Sequence, residues 1–313
     1  MSKIVITGGA GFIASHIAEE LVAENEVVII DNLDDYYSPE LKQKNLDAVR
    51  ERGDVTFVRG DIRDSAFVKG VIDSDVDYVY HEAAQAGVRI SVENPFKPNE
   101  VNVTGTLNVL QASLDARVKR VINASSSSVY GKVQYLPFDE KHPTMPVSPY
   151  GVSKLAAEHY CRVFYEVYGL PTASLRYFTV YGPRMRPDLA ISIFTGRMLR
   201  NEPITVFGDG TQTRDFTYID DIVKANLTLL NTDAADGRTM NVGGGHRIVL
   251  NDLISHLMEI TGSSSEVIYS DRQRGDAEHT LADTGLAGEL IGYSPEVSIK
   301  EGLGRFVEWY RGE

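Results

Sequence analysis

Cysteine is almost missing from the chain: Cys161 is the single one among 313 residues. One thiol builds no disulfide framework and no cysteine-rich zinc site. Its ordinary reading is a small buried apolar residue. No apolar run reaches the ~20 residues needed to cross a bilayer. The N-terminus enters a strand pattern at once, without a signal peptide, so a cytoplasmic protein is expected. A basic stripe is missing too. The net charge is −13, and the acids are spread along the chain, which argues against nucleic acid as a partner. There is no internal repeat and no low-complexity tract. The length permits a large core and predicts two lobes.

Glycine is placed where chemistry needs it. The strand-like run Lys3-Ile-Val-Ile-Thr7 meets Gly8-Gly9-Ala10-Gly11, and a helical pattern follows from Phe12, Ile13 and Ala14. Glycines at a strand-to-helix turn let the backbone approach a diphosphate, which rests on free N–H groups at the positive helix end. Ala14 stands where a third glycine usually allows close helix–strand packing, and alanine is small enough for that. The next strand, Val27-Val28-Ile29-Ile30, ends in Asp31, at the place where an acid bonds ribose hydroxyls. A carboxylate there repels the extra phosphate of NADP, so the order of elements predicts a site for NAD.

Tyr150 and Lys154, in Ser148-Pro149-Tyr150-Gly151-Val152-Ser153-Lys154, sit one helical turn apart on one face. A phenol is a poor base at neutral pH, but an ammonium beside it favours the phenolate. Such a pair can take a proton from a sugar hydroxyl while a nicotinamide accepts hydride.

Between these motifs, strands and helices alternate. Val55–Val58 leads to Gly60-Asp61-Ile62, Tyr78-Val79-Tyr80 to His81-Glu82-Ala83-Ala84, and Arg120–Asn123 to Ala124 and a run of four serines ending at Ser128. Val103, Leu107, Leu110 and Leu114 have helical spacing, and Ala156, Tyr160, Val163 and Val167 recur on one face of a helix starting near Tyr150. This alternation predicts an α/β fold: a Rossmann-type, doubly wound parallel sheet with a smaller C-terminal α/β substrate lobe. Ligands of such sheets lie beyond the strand carboxyl ends, so Asp31, Asp61, Ala83, Ser126 and Phe178 should line one crevice. Residues 1–178 are expected to form the dinucleotide domain, with 215–245 packing back on it, and 179–313 the substrate lobe.

Four segments together carry a resemblance: Thr7 to Ala14, Ala124 to Gly131, Ser148 to Lys154, and Arg214-Asp215-Phe216-Thr217-Tyr218-Ile219-Asp220-Asp221. Over essentially the whole chain they resemble the extended short-chain dehydrogenase/reductase family, in its branch of UDP-sugar 4-epimerases. The resemblance implies a homodimer that holds NAD and inverts carbon 4 through a transient 4-keto sugar. It implies Tyr150 as catalytic base, Lys154 as the lysine on the nicotinamide ribose, and Ser126 as a hydrogen-bonding partner of the same sugar oxygen. Gly8, Gly11, Phe12, Ile13, Asp31, Asn32, Asp61, Ile62, Ala83, Ala84 and Asn102 match cofactor contacts. The helices around 104–116 and 150–168 resemble those that pair in the family dimer. Arg214 matches an arginine on the UDP diphosphate, Arg272 or Arg274 a second one, Asp276 a partner of the uridine ribose, and Phe207 an aromatic near uracil.

The sugar follows from finer comparison. Related dehydratases and decarboxylases carry carboxyl groups where this chain has Ser127 and Ser128, which favours epimerisation. Arg89, in Ala83-Ala84-Gln85-Ala86-Gly87-Val88-Arg89, and the segment from Arg176 to Asp188 look more like glucuronate than galactose enzymes. Thr179 and Arg186 would meet a carboxylate at carbon 5. UDP-glucuronate is the expected substrate and UDP-glucose the alternative. A non-catalytic NAD-binding sensor is a further alternative, disfavoured because Tyr150, Lys154 and Ser126 are all present. Glu82 departs from the family, which has an apolar residue there. The carboxylate is expected to turn either to solvent or to the cofactor.

Overall fold

The computed structural model describes residues 1–271 and 278–312. Thirteen strands lie among them: β1 Lys3–Thr7, β2 Glu26–Asp31, β3 Val55–Arg59, β4 Tyr78–His81, β5 Arg120–Ser126, β6 Thr172–Tyr177, β7 Thr179–Tyr181, β8 Ile204–Phe207, β9 Thr213–Arg214, β10 Phe216–Tyr218, β11 Arg238–Val242, β12 Ile248–Val249 and β13 Val267–Ser270. Seven form one sheet in the order β11-β6-β5-β4-β1-β2-β3, and every pair in it is parallel. The expected doubly wound α/β sheet is therefore present. Six short strands pair two by two: β7 with β10, β8 with β13, and β9 with β12.

The central strands are apolar on both faces because both faces are covered. Ile4, Ile6, Val27 and Ile29 point into one cluster, and Val5, Val28 and Ile30 into the other. The first cluster continues without a break to Leu253, Leu303 and Phe306, so one core joins the sheet to the C-terminal helices. Helix Ile219–Thr228 packs beside helix Phe12–Leu21 on that face. Cys161 lies in the second cluster, 1% exposed. From β1 the chain winds outward to β2 and β3, then returns to β4 on the other side of β1. That reversal opens a crevice beyond the strand ends.

The helix of Tyr150 and Lys154 spans Pro149–Tyr168. Its start is written locally: Ser148 Oγ accepts the Gly151 N–H at 3.1 Å, and Pro149 fills the first helical position. It ends at Gly169, which adopts φ 72°. The helix turns Lys154, Ala157, Glu158, Cys161 and Phe164 to the interior. The recurring apolar residues lie elsewhere: Tyr160 and Val167 are exposed, while Ala156 and Val163 are half-buried.

Glu158 anchors this helix. Its carboxylate receives Arg176 Nε at 2.9 Å and Nη2 at 2.8 Å, and Ser125 Oγ bonds the same group. The side chains of Arg176 and Glu158 are 7% and 4% exposed. Removing one partner strands a buried charge, which costs about 3–5 kcal/mol. Arg176→Met should lower unfolding free energy by about that amount in urea titrations. A loss below about 1 kcal/mol would show that the pair does not hold the helix.

Candidate active site

The crevice at the switch point is lined by residues from every neighbouring strand end. At its start stand Gly8, Gly11, Phe12, Ile13 and Ala14. Gly8 adopts φ +70°, and a Cβ on it would come within 2.7 Å of Ala83 Cα, so no side chain fits there. Helix Phe12–Leu21 has no side-chain cap and no acid in its first turn. Its first N–H groups and positive dipole end are thus open to an anion. This is the feature that fits a dinucleotide diphosphate.

Asp31 closes β2, with Asn32, Asp61 and Ile62 beside it in the crevice. The Leu33 and Ala10 N–H groups donate to the two Asp31 oxygens at 2.8 and 3.2 Å. Burial raises its carboxyl, while Lys42 and those two amides act against the shift. Asp61 is the opposite case. Arg63 donates three times to it, from its backbone N–H at 2.9 Å and its guanidinium at 3.0 and 2.8 Å, and Asn32 Nδ2 once at 3.1 Å. Arg63 holds the carboxyl down at about 2.

Tyr150 and Lys154 enter from the far side. Lys154 is buried and its Nζ donates to Ala124 O at 2.7 Å, which points the ammonium at the strand ends. Ser126 is the last residue of β5, in register with Tyr177 on β6. Its Oγ accepts the Ser128 N–H at 3.1 Å, closing the turn Ser127–Val129 that carries Ser127 and Ser128. Thr179 follows two residues after Tyr177 and opens β7, beside Phe216.

The structure gathers Gly8, Gly11, Phe12, Ile13, Asp31, Asn32, Asp61, Ile62, Ala83, Ala84, Tyr150, Lys154 and Arg186 in one crevice. Asn102 stands behind its wall. It is 1% exposed and spans Gln85 N, Gln85 O and Ser153 Oγ at 2.7, 3.1 and 2.9 Å. Its effect on a ligand would pass through the Gln85 backbone. Arg89 lies on helix Val88–Glu93 and sets its guanidinium 4.9 Å from the centre of the Phe207 ring, joining two expected substrate residues. Arg214 donates to Thr213 O and Glu278 O at 3.0 and 3.1 Å. The expected sites Arg272, Arg274 and Asp276 lie outside the described residues.

Several lining residues escaped the sequence reading: Asp34, Tyr36, Tyr37, Lys42, Gln85 and Tyr177. The polar stretch after Asp31 is helical over Pro39–Arg52. Its signal was Ser38-Pro39-Glu40, a cap residue before a first-turn proline and acid. That helix brings Lys42 to the crevice, where Nζ donates to Asp34 O at 2.7 Å.

The family description "NAD dependent epimerase/dehydratase family" matches residues 4–243. The chain belongs to this family. It is 39% identical to a UDP-glucuronate 4-epimerase of Thermodesulfobacterium geofontis, over 99% of this chain and 96% of the relative. Two solved structures superpose throughout. One is the UDP-glucuronic acid 4-epimerase of Bacillus cereus, in complex with UDP-glucuronic acid and NAD. It has TM-score 0.93 and 38% identity, covering 99% of each chain. The other is the UDP-glucose 4-epimerase of Thermotoga maritima with UDP-glucose, with TM-score 0.92 and 36% identity, again over 99% of each chain.

The matched family is NAD-dependent, and the glycine turn, Asp31, Tyr150 and Lys154 border one crevice. Glu82 turns inward: it lines the crevice and accepts the Tyr177 O–H at 2.9 Å. Arg186 also faces the crevice, and Asp188 pairs with its Nε and Nη2 at 2.9 and 3.1 Å. Among the described residues, no group of three His, Cys, Asp or Glu could hold a metal, and no helix is long and apolar enough to cross a membrane.

Proposed function

We propose that the protein is a cytoplasmic NAD-dependent 4-epimerase of UDP-glucuronate. The observation that carries this reading is the convergence of Tyr150, Lys154 and Arg186 on the crevice of the glycine turn. NAD supplies a hydride acceptor and donor at carbon 4 of the sugar. Tyr150 takes the 4-hydroxyl proton and later returns it. Lys154, fixed by Ala124 O, binds the nicotinamide ribose and favours the phenolate. Ser126 orients the same sugar oxygen. Ser127 and Ser128 offer no carboxyl group for elimination or decarboxylation, which favours turning of the keto sugar and return of the hydride. Arg214 and Phe207 hold UDP in the part of the chain from 179 to 313.

Thr179 and Arg186 would meet the carboxylate at carbon 5. A guanidinium binds a carboxylate through paired N–H groups, and Asp188 takes only the Nε–Nη2 edge. That same pairing favours a second reading: Asp188 offsets the charge of Arg186, which suits the neutral hydroxymethyl group of UDP-glucose.

The working unit is a homodimer built on helices Gly105–Ala116 and Pro149–Tyr168. Val152, Tyr160 and Phe96, 55%, 37% and 74% exposed, form an outward apolar surface there. Pro95, Val103 and Pro149 line a hollow beside it with Val152 and Tyr160. Light scattering should give twice the chain mass of 34.6 kDa. A monomer would remove this part of the reading.

Purified protein without added NAD should convert UDP-glucuronate to its C4 epimer, resolved by chromatography. Conversion of UDP-glucose alone would overturn the carboxylate role of Thr179 and Arg186. Tyr150→Phe should lose about 10²–10⁴ in turnover while still binding NAD. Unchanged turnover would overturn Tyr150 as the base, and no turnover in the wild type would leave only a nucleotide sensor.

A further inference from the structure

Glu82 is the least expected side chain in the crevice. It follows the last residue of β4, and its N–H donates to Thr7 O at 3.2 Å, beside the glycine turn. His81 pairs with Asn123 of β5, so Glu82 stands next to Ala124, whose carbonyl receives Lys154 Nζ. Tyr177 O–H donates to Glu82 Oε1 at 2.9 Å, and Asn226 Nδ2 donates to that same phenol at 2.8 Å. Glu82, Tyr177, Lys154 and Tyr150 all border one space. The carboxyl is half-buried, and the crevice is what it opens on.

This placement puts Glu82 in the half of the cleft that holds Tyr150 and Lys154, away from Asp31 and Asp61. We infer that Glu82 weights the affinity of the protein for the two oxidation states of its dinucleotide, its carboxylate favouring the form with the cationic nicotinamide. The inference rests on the crevice being the NAD site.

The physical argument is one of cancellation. NAD and NADH share the same adenosine, diphosphate and riboses, so any repulsion between Glu82 and the diphosphate is common to both. Only the nicotinamide charge differs. A carboxylate in a partly buried site attracts that charge with an effective dielectric well below water, and a preference on the order of tenfold follows. For a two-electron couple, tenfold lowers the potential of the bound pair by about 30 mV.

The charge of Glu82 is itself conditional. Burial pushes its carboxyl up to about 7, against the Tyr177 hydrogen bond and the Lys154 charge. The titratable groups facing it are Tyr177 from β6, Tyr80 from its own strand and Lys154 from helix Pro149–Tyr168. Burial keeps both phenols well above their ordinary range, so they stay neutral. Asn226, from helix Ile219–Thr228, carries no charge. Below the Glu82 value the carboxyl is neutral and the preference vanishes. Above it the carboxylate forms, the oxidised nucleotide gains, and the reduced state, in which an escaped keto sugar would strand the enzyme, is disfavoured.

The test is binding, not turnover. Full-length protein stripped of nucleotide is titrated with NAD and with NADH at about pH 5.5 and about pH 8.5, on either side of the carboxyl range. In the wild type, the ratio of the NADH to the NAD dissociation constant should rise on the order of tenfold with pH. Glu82→Gln, which keeps an acceptor for Tyr177, should show the low ratio at both. A flat wild-type ratio, or an equal rise in Glu82→Gln, overturns the inference while leaving the cofactor site intact. Should the variant fail to fold, the wild-type series decides alone. Binding of neither nucleotide would overturn the cofactor reading and this inference with it.

Discussion

A carboxylate and a guanidinium, both withdrawn from water, hold the helix of Tyr150 and Lys154 on the sheet. Glu158 lies one turn beyond Lys154, and Arg176 lies on β6 one residue before Tyr177. The Arg176 fork meets Glu158 along two N–H groups, and its third nitrogen donates to Tyr130 O–H at 2.9 Å. Tyr130 passes the contact to Asn241 Oδ1 at 2.6 Å, on β11. Ser125, next to Ser126, bonds the same carboxylate. One buried network therefore sets the helix of Tyr150, the strand of Ser126 and the strand of Tyr177 against each other. An isolated buried ion pair is a weak stabiliser. Its value here is that each partner is already satisfied, which leaves few other ways to pack.

The crevice carries both signs of charge along its length. Asp31 and Asp61 stand at the end of β2 and beyond β3, where a ribose and its base would lie. Lys42 acts on Asp31, Lys154 acts on Glu82, and Arg186 is paired with Asp188. The chain carries −13 overall, so an anionic nucleotide sugar needs local cations to enter. Arg184 secures one of them: it grips Glu19 of helix Phe12–Leu21 at 2.8 and 2.6 Å and fixes the loop that carries Arg186. Helix Phe12–Leu21 thus supports the loop of Arg186 from behind.

What the sequence made legible was local. The glycine turn, Asp31 at a strand end, and the spacing of Tyr150 and Lys154 are set by residues within a turn or two of each other, and so is the parallel alternation. What escaped depends on packing between distant segments. Asn102 reads as a cofactor ligand in the sequence, yet Gln85 and Ser153 occupy its side chain. The stripe containing Tyr160 and Val167 has core-like spacing but lies on the outer side, because Glu158 and Cys161 take the inner one. Glu82 could have faced either way until Tyr177, ninety-five residues on, supplied its partner. Tyr36 reached the cleft through Asp188, a bond of 3.0 Å across 152 positions.

The central claim is that carbon 4 is oxidised and reduced within one closed site, without exchange with water. The most direct measurement is epimerisation of UDP-glucuronate deuterated at carbon 4, with no cofactor added and the product read by mass spectrometry and NMR. Full retention of deuterium at carbon 4 of the epimer is the predicted result. Loss of the label to solvent would contradict the account, because it would mean that carbon 4 inverts by proton exchange.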